Sequence, residues 1–415
     1  MGRPFLNSIP HTSRTLHQFR YRVAIVLFIF ALFHQQHLYL VSRQSLTAKY
    51  APTNFNFHTE ELDLGSSRSN KEDLQFQDEL IANRPAWKVL SVGWEGKVFT
   101  YNDWVIKTFT PGWSPFRNCI HGAIAKWPTE IPASLHFGGR VSNVDVSERN
   151  SSHHTTVMYN GFVPVKAYFM TSASPSVPEQ WHLVTPLLGG GNLHTLAKQL
   201  SRSAEAKSFR EVDARYRPAF NRLLDTMEAL HVAGYCHDDI KPANIFAQDE
   251  LHWVLGDLGN LRHVLHPYHS SGLWKDNEQL EDCRSNDVIR VLRSYLKFVQ
   301  SSASDADRFN IAFMEGQGPG SRLFWWAIAY APTMSAGQLH RRSLIEYPEA
   351  TRKTYFEDEY PGPTRPSALI SFFSRRLAVK RAVNMALVTR MGEMRARWWA
   401  MVWLFGVPNS ELCGH

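Results

Sequence analysis

The chain has 415 residues, a formal net charge of +7, 44% hydrophobic and 20% charged residues. This ordinary globular composition excludes a disordered chain, a collagen and a coiled-coil rod, and leaves room for two or three units of ~100–200 residues. The positive charge sits at the two ends: no acid precedes Glu60, the last 51 residues hold eight basic and two acidic side chains, and residues 60–364 are mildly acidic. A basic nucleic-acid-binding body is therefore not supported, and four cysteines without a CxxC pair exclude a disulfide-dense scaffold and speak against a paired-cysteine zinc site.

Residues 1–21 form a basic segment with Arg3, Arg14 and Arg20. Arg22 then leads into the apolar run VAIVLFIFALF at 23–33. Eleven residues rise only about 16 Å as a helix, short of a ~30 Å hydrocarbon core. Extension to Val41 reaches spanning length at the cost of including His34, Gln35, Gln36 and His37. A signal anchor over 22–41 is the reading adopted; it puts the basic end in the cytosol and the body in the lumen, as a single-pass membrane protein. A cleaved signal peptide, a mitochondrial presequence and a core helix of a cytoplasmic protein are the alternatives. Residues 42–80, rich in Ser, Asn, Thr and acids, read as a polar stem.

Trp87–Val92 and Lys97–Tyr101 are strand-like and flank Gly93 and Gly96, where backbone N–H groups can approach phosphate oxygens without a Cβ in the way. The Asn102-Asp103 turn leads into a further strand, Trp104-Val105-Ile106-Lys107, whose alternation puts Val105, Lys107 and Phe109 on one face. Residues 141–156 read as an exposed loop; Asn150 there begins the one N-x-S/T sequon, a glycan site if the body is luminal. A strand over Trp181–Leu188 runs into the Gly189-Gly190-Gly191 linker.

Phe220, Leu223, Leu224, Met227 and Leu230 recur at helical spacing, and Gly234 ends that helix. The string His237-Asp238-Asp239-Ile240-Lys241-Pro242-Ala243-Asn244 follows. A short hairpin, with strands at Ile245–Ala247 and Leu251–Leu255, then delivers Asp257-Leu258-Gly259. Asp287 opens an amphipathic helix, Leu323–Tyr330 reads as a core helix, and the basic, Trp-rich segment 365–415 reads as a final helix or a membrane-surface helix.

His237 to Asn244 resembles the catalytic loop of the protein kinase family, and Asp257-Leu258-Gly259, thirteen residues beyond Asn244, resembles that family's metal motif with Leu for Phe. The resemblance covers about residues 87–300. It implies an α+β, bilobal protein-kinase-like fold: a small β-rich N-lobe and hinge over 81–188, a larger helical C-lobe over 189–364, and the N-terminal hydrophobic helix. It implies ATP and Mg²⁺, with Asp239 as proton acceptor, Lys241 and Lys107 on the phosphates, and Asn244 and Asp257 as metal ligands. Gly93, Gly96, Val98, Val105, Thr185, Leu187 and Leu188 would line the nucleotide site, with Leu187 and Leu188 offering backbone hydrogen bonds to adenine. Glu130, 23 residues after Lys107, is the candidate partner of that lysine; His237 and Asp287 would be structural.

Two departures qualify the resemblance. Asp238 stands where the family usually has an arginine that meets a phosphate, and two adjacent carboxylates raise each other's pKa if they converge. No A-P-E motif follows Asp257, and only 30 residues separate it from Asp287. The expected activity is transfer of the ATP γ-phosphoryl group to a protein Ser/Thr hydroxyl. A pseudokinase scaffold and a small-molecule hydroxyl kinase are the alternatives. The expected partners are ATP, a protein substrate and a membrane, with no nucleic acid.

Overall fold

The structure is a computed structural model that describes residues 12–53, 55, 71–93, 96–109, 119–121, 126–141, 161–172, 176, 178–203, 207–316, 318–346 and 374–389. It is an α+β protein, mostly helical, with one five-stranded antiparallel sheet and an apolar N-terminal helix. Asn150 and the tryptophans after residue 390 lie outside the described residues.

Helix α1 (Thr12–Lys49) is 38 residues long, about 57 Å at 1.5 Å per residue. It is long and apolar enough to cross a membrane, and the run Val23–Phe33 is exposed. The helix does not stop at Val41: its last turns are buried, with Leu46 and Lys49 5% exposed or less. Part of the expected stem is therefore helix that belongs to the body. Within that stem, Lys71–Ala82 forms a second helix, α2.

The sheet runs β1 (Lys88–Val92), β2 (Gly96–Tyr101), β3 (Trp104–Phe109), with β6 (Ala167–Thr171) and β7 (Gln180–Pro186) completing the order β1-β2-β3-β7-β6. Between β3 and β6 lie the short pair β4 (Cys119–His121) and β5 (Lys126–Pro128), then α3 (Glu130–Gly138). Strand alternation splits the sheet's core. Ile106 and Val184 pack towards Leu80 of α2, whereas Phe109, Trp181 and Leu183 pack with Trp127 and with Ile131 of α3. Lys107 is on the α3 side because it shares its face with Phe109.

The helical part is centred on α5 (Phe209–Val232) and α7 (Cys283–Ser302), with α4 (Leu193–Arg202) ahead of them. A Ser208–Glu211 capping box starts α5, satisfying two N–H groups that the first turn leaves open. Its apolar stripe Tyr216, Phe220, Leu223, Leu224, Met227 and Leu230 is fully buried, at about 1.5–3 kcal/mol for each large side chain. Gly234, at φ 87°, terminates it. Then come β8 (Tyr235–Cys236), the β9–β10 hairpin (Ile245–Ala247, Trp253–Leu255), β11 (Arg262–His263) and the five-residue α6 (Gly272–Asp276). Beyond α7, α8 (Ala306–Met314), α9 (Pro319–Ala329), α10 (Ala336–Glu346) and α11 (Arg375–Ala386) close the body. Val379 and Val383 of α11 join the main core, so Arg375–Ala386 packs against the body, whereas the Trp-rich stretch that follows, read as a final helix or a membrane-surface helix, lies outside the described residues.

Candidate functional site

Strand pairing assembles the site. Arg262 of β11 lies opposite Cys236 of β8, so the loop after Cys236 and the segment before Arg262 run side by side. The β9–β10 hairpin closes the same gap from below: Gly256 donates its N–H to the Asn244 carbonyl at 3.0 Å. His237–Asn244 and Asp257–Gly259 are thus held together at the edge that faces the sheet.

Lys107 reaches across this edge. Its Nζ contacts Glu130 Oε2 at the start of α3 and lies 2.8 Å from Asp257 Oδ1. Glu130 is buried, and Asp257 is about one-third exposed. Burial raises the Asp257 carboxyl pKa, but the Lys107 and Lys241 ammonium groups outweigh it and hold the group well below the usual carboxylate range. One lysine from the sheet therefore meets two carboxylates from separate elements.

Asp239 Oδ2 accepts from Lys241 Nζ at 2.6 Å and from Asn244 Nδ2 at 3.3 Å. The Asn244 Nδ2 also donates to the Asp239 carbonyl at 2.9 Å, so the amide oxygen is the atom with which Asn244 could meet a cation. Asp257 and Asn244 are one carboxylate and one neutral oxygen donor, a set that suits Mg²⁺ shared with phosphates and water. Among the described residues no group of three or more His, Cys, Asp or Glu could hold a metal ion.

Asp287 is completely buried and supports the loop from α7. Its Oδ2 accepts the His237 N–H at 2.6 Å and its Oδ1 the Asp238 N–H at 3.1 Å. His237 accepts the Asp239 N–H on Nδ1, so Nε2 carries the proton and donates to the Gly256 carbonyl at 3.2 Å. Asp238 and Asp257 both adopt left-handed backbone, at φ 63° and 58°. Such strain costs about 1–3 kcal/mol and clusters where geometry is over-determined.

Of the residues expected at a nucleotide site, Gly96, Val98, Val105 and Thr185 fall on the five-stranded sheet, and Gly93, Leu187 and Leu188 just outside its strands. Val98 pairs with Lys107 in register, and Val105 with Thr185. The Leu187 N–H already donates to the Asp103 carbonyl at 2.7 Å, and the Leu188 carbonyl accepts from Gly191. Of the four backbone groups at Leu187 and Leu188, two are thus already bonded within the chain, so the expected hydrogen bonds to adenine could involve only the Leu187 carbonyl and the Leu188 N–H. Gly93 donates its N–H to the Gly96 carbonyl at 2.9 Å, closing the turn between β1 and β2.

Two features were not read from the sequence. Asp238 does not converge with Asp239: its buried Oδ2 accepts from Arg262 Nη1 at 3.0 Å and from His269 Nε2 at 2.9 Å. Burial raises its pKa, but His269, Arg262 and Arg290 together drive it well below the usual range, opposite to the mutual elevation that converging carboxylates would have produced. The second feature is a Cys236–Cys283 disulfide, which ties the residue before His237 to the first residue of α7. The even cysteine number and the adjacency of Cys236 to the loop were the available signals.

No family model matches this chain, and no curated protein matches it significantly.

Proposed function

We propose that the chain is a bilobal, protein-kinase-like phosphotransferase that moves the γ-phosphoryl group of ATP to a Ser/Thr hydroxyl of a protein. The sheet-bearing part would be the small lobe and the helical part the large one. The observation that carries this reading is the convergence of Lys107 with Glu130 and Asp257, 2.8 Å from the latter, beside Asp239 and Asn244. Lys107, Glu130 and Asp257 lie 23 and 150 residues apart along the chain, and sequence distance gives no other reason for these three side chains to meet.

In the proposed reaction the substrate hydroxyl oxygen attacks the γ-phosphorus. The bond from that phosphorus to the β–γ bridging oxygen breaks, ADP leaves, and the hydroxyl proton passes to Asp239. Lys241 and Asn244 hold the Asp239 carboxylate in place. Lys107 would bind the α- and β-phosphates while Glu130 fixes its direction, and Asn244 and Asp257 would hold Mg²⁺. That ion supplies positive charge against the phosphate oxygens. Val98, Val105 and Thr185 would form the base pocket, and the Leu187 carbonyl and Leu188 N–H its polar edge.

The same reading places the body in an oxidising compartment, behind a membrane-spanning α1. Its support is the Cys236–Cys283 bridge, since such bonds persist in the lumen and are rare in the cytosol. Carbonate extraction and protease protection test this; a freely soluble full-length product would sink it. For the chemistry, purified protein with Mg·ATP and mixed peptides should incorporate phosphate, and Asp239→Asn and Lys107→Met should not. Wild type no better than those variants would end the enzyme reading.

A further inference from the structure

The last turns of α1 do not merely leave the membrane; they are built into the segment behind the candidate catalytic loop. Leu46 is fully buried with Cys236, Tyr268, Leu273, Trp274 and Cys283. Ser45 Oγ accepts the Leu273 N–H at 3.2 Å. Further on, the Ala51 carbonyl meets His266 Nε2 at 3.0 Å, and Thr53 Oγ1 donates to the Leu261 carbonyl at 3.0 Å. Phe55 stacks on Tyr235, the residue before Cys236, with ring centroids 5.6 Å apart.

Arg262 is where these contacts reach the loop. It is 1% exposed, and its guanidinium lies 4.7 Å from the Tyr268 ring centroid. Nε and Nη2 both donate to the Lys49 carbonyl, at 3.3 and 3.2 Å, which satisfies an acceptor at the open C-terminal end of α1. Nη1 donates to Asp238 Oδ2 at 3.0 Å and to the Asn260 carbonyl at 2.9 Å. A single planar group thus joins the end of the membrane helix to the residue next to Asp239, with a five-donor fork that lysine could not reproduce.

We propose that the carboxyl-terminal end of α1 is a built-in positioning element for the loop that carries Asp239, acting through Arg262. Its catalytic consequence rests on the phosphotransferase reading; its structural consequence does not. Arg262 touches no reacting atom in this scheme and is a positioning residue. The loop would be held in working geometry whenever the helix end is docked, with no phosphate required on the segment that follows Asp257.

The test uses the full chain in lipid nanodiscs and compares wild type with Leu46→Ala, Arg262→Gln and Arg262→Lys. Hydrogen exchange is followed in a peptide spanning 235–246 and in a control peptide from β2–β3. Leu46→Ala and Arg262→Gln should speed exchange in 235–246 tenfold or more and leave the control unchanged; Arg262→Lys should recover only part of the protection. Turnover should fall tenfold with the KM for ATP within twofold of wild type. Unchanged exchange in 235–246 for Leu46→Ala, or equal acceleration in both peptides, overturns the proposal. If Arg262→Gln does not fold, Leu46→Ala alone decides. Localised exchange changes in a protein that transfers no phosphate would uphold the coupling and sink the phosphotransferase reading, so the two failures are distinguishable.

Discussion

Replacing Lys107 by methionine keeps most of the side-chain volume and removes the charge that Glu130 and Asp257 share. Breaking a fully buried ion pair from one side costs about 3–5 kcal/mol. Glu130 is buried deeply enough for that range to apply, but Lys107 is 20% exposed and Asp257 33%, so solvent screens part of the interaction. An expected loss of about 2–3 kcal/mol at pH 7 follows. Its pH dependence has a definite sign. The Asp257 carboxyl is held below its usual range in the folded protein, despite burial, by Lys107 and then Lys241. The stability it contributes is present above the unfolded carboxylate pKa of about 4 and is lost as pH falls through the folded value. The deficit of Lys107→Met should therefore be largest at neutral pH and shrink as pH falls below about 4. Urea unfolding at pH 7 and pH 3.5, in a cycle with Asp257→Asn, measures it. A coupling energy below about 0.5 kcal/mol at pH 7 would refute the pairing, as would a deficit of the same size at both pH values.

Three further outcomes are expected. Asp287→Ala leaves two buried N–H groups, of His237 and Asp238, without their acceptor, at about 1–3 kcal/mol each; urea unfolding should show a loss of that order. Cys236 and Cys283 are 47 residues apart, and closing such a loop restricts the unfolded chain by about 4 kcal/mol. Dithiothreitol should lower the melting temperature of wild type by clearly more than that of a Cys236→Ser/Cys283→Ser double variant. Burial holds the pKa of His182 down to about 4, aided by Arg84, and burial followed by Arg262 does the same at His266. Each contributes stability that is full above about pH 6.5 and drains away towards pH 4, at up to ~1.4 kcal/mol per pH unit. His269 works against them: burial lowers its pKa but Asp238 raises it further, so its contribution is full below about pH 6.5 and lost as pH rises through the folded value. Since His182 stacks on Phe169 at 5.1 Å, His182→Phe should keep the packing and flatten the acid limb of a melting-temperature profile; an unchanged slope would show that this histidine is not the one resisting protonation.

Local rules made much of this protein legible. Alternation placed Lys107 and Phe109 on one face of β3, and helical spacing with Gly234 placed α5 and its end. The Asn102-Asp103 turn sits where strand pairing puts it, with Asn102 at φ 51°. Glu130 was reached by distance along the chain and by resemblance, because no local pattern says which carboxylate a lysine will meet. What stayed hidden was non-local. A polar composition over 42–80 reads as stem because composition cannot see that Leu46, Ser45 and Lys49 have a docking surface more than 200 residues later. The Cys236–Cys283 bond has the same character, since spacing alone does not say that β8 and the start of α7 are neighbours.

Asp238 shows best how a local rule misleads when its partner is distant. A carboxylate next to Asp239 looks like repulsion, and the absence of an arginine there looks like a lost anion-binding group. The left-handed backbone at Asp238 instead gives its carboxylate buried partners, Arg262 and His269, while the neighbouring Asp239 pairs with Lys241. Under the proposed kinase-like reading, the charges across this joint would be reversed rather than deleted: the acid sits on the loop and the base on the segment that follows Asp257. A removable phosphate could make such a joint switchable, but an arginine cannot be added or removed. Because the same guanidinium also holds the Lys49 carbonyl, the adjustable part moves to the other end of the contact, to whether α1 is seated.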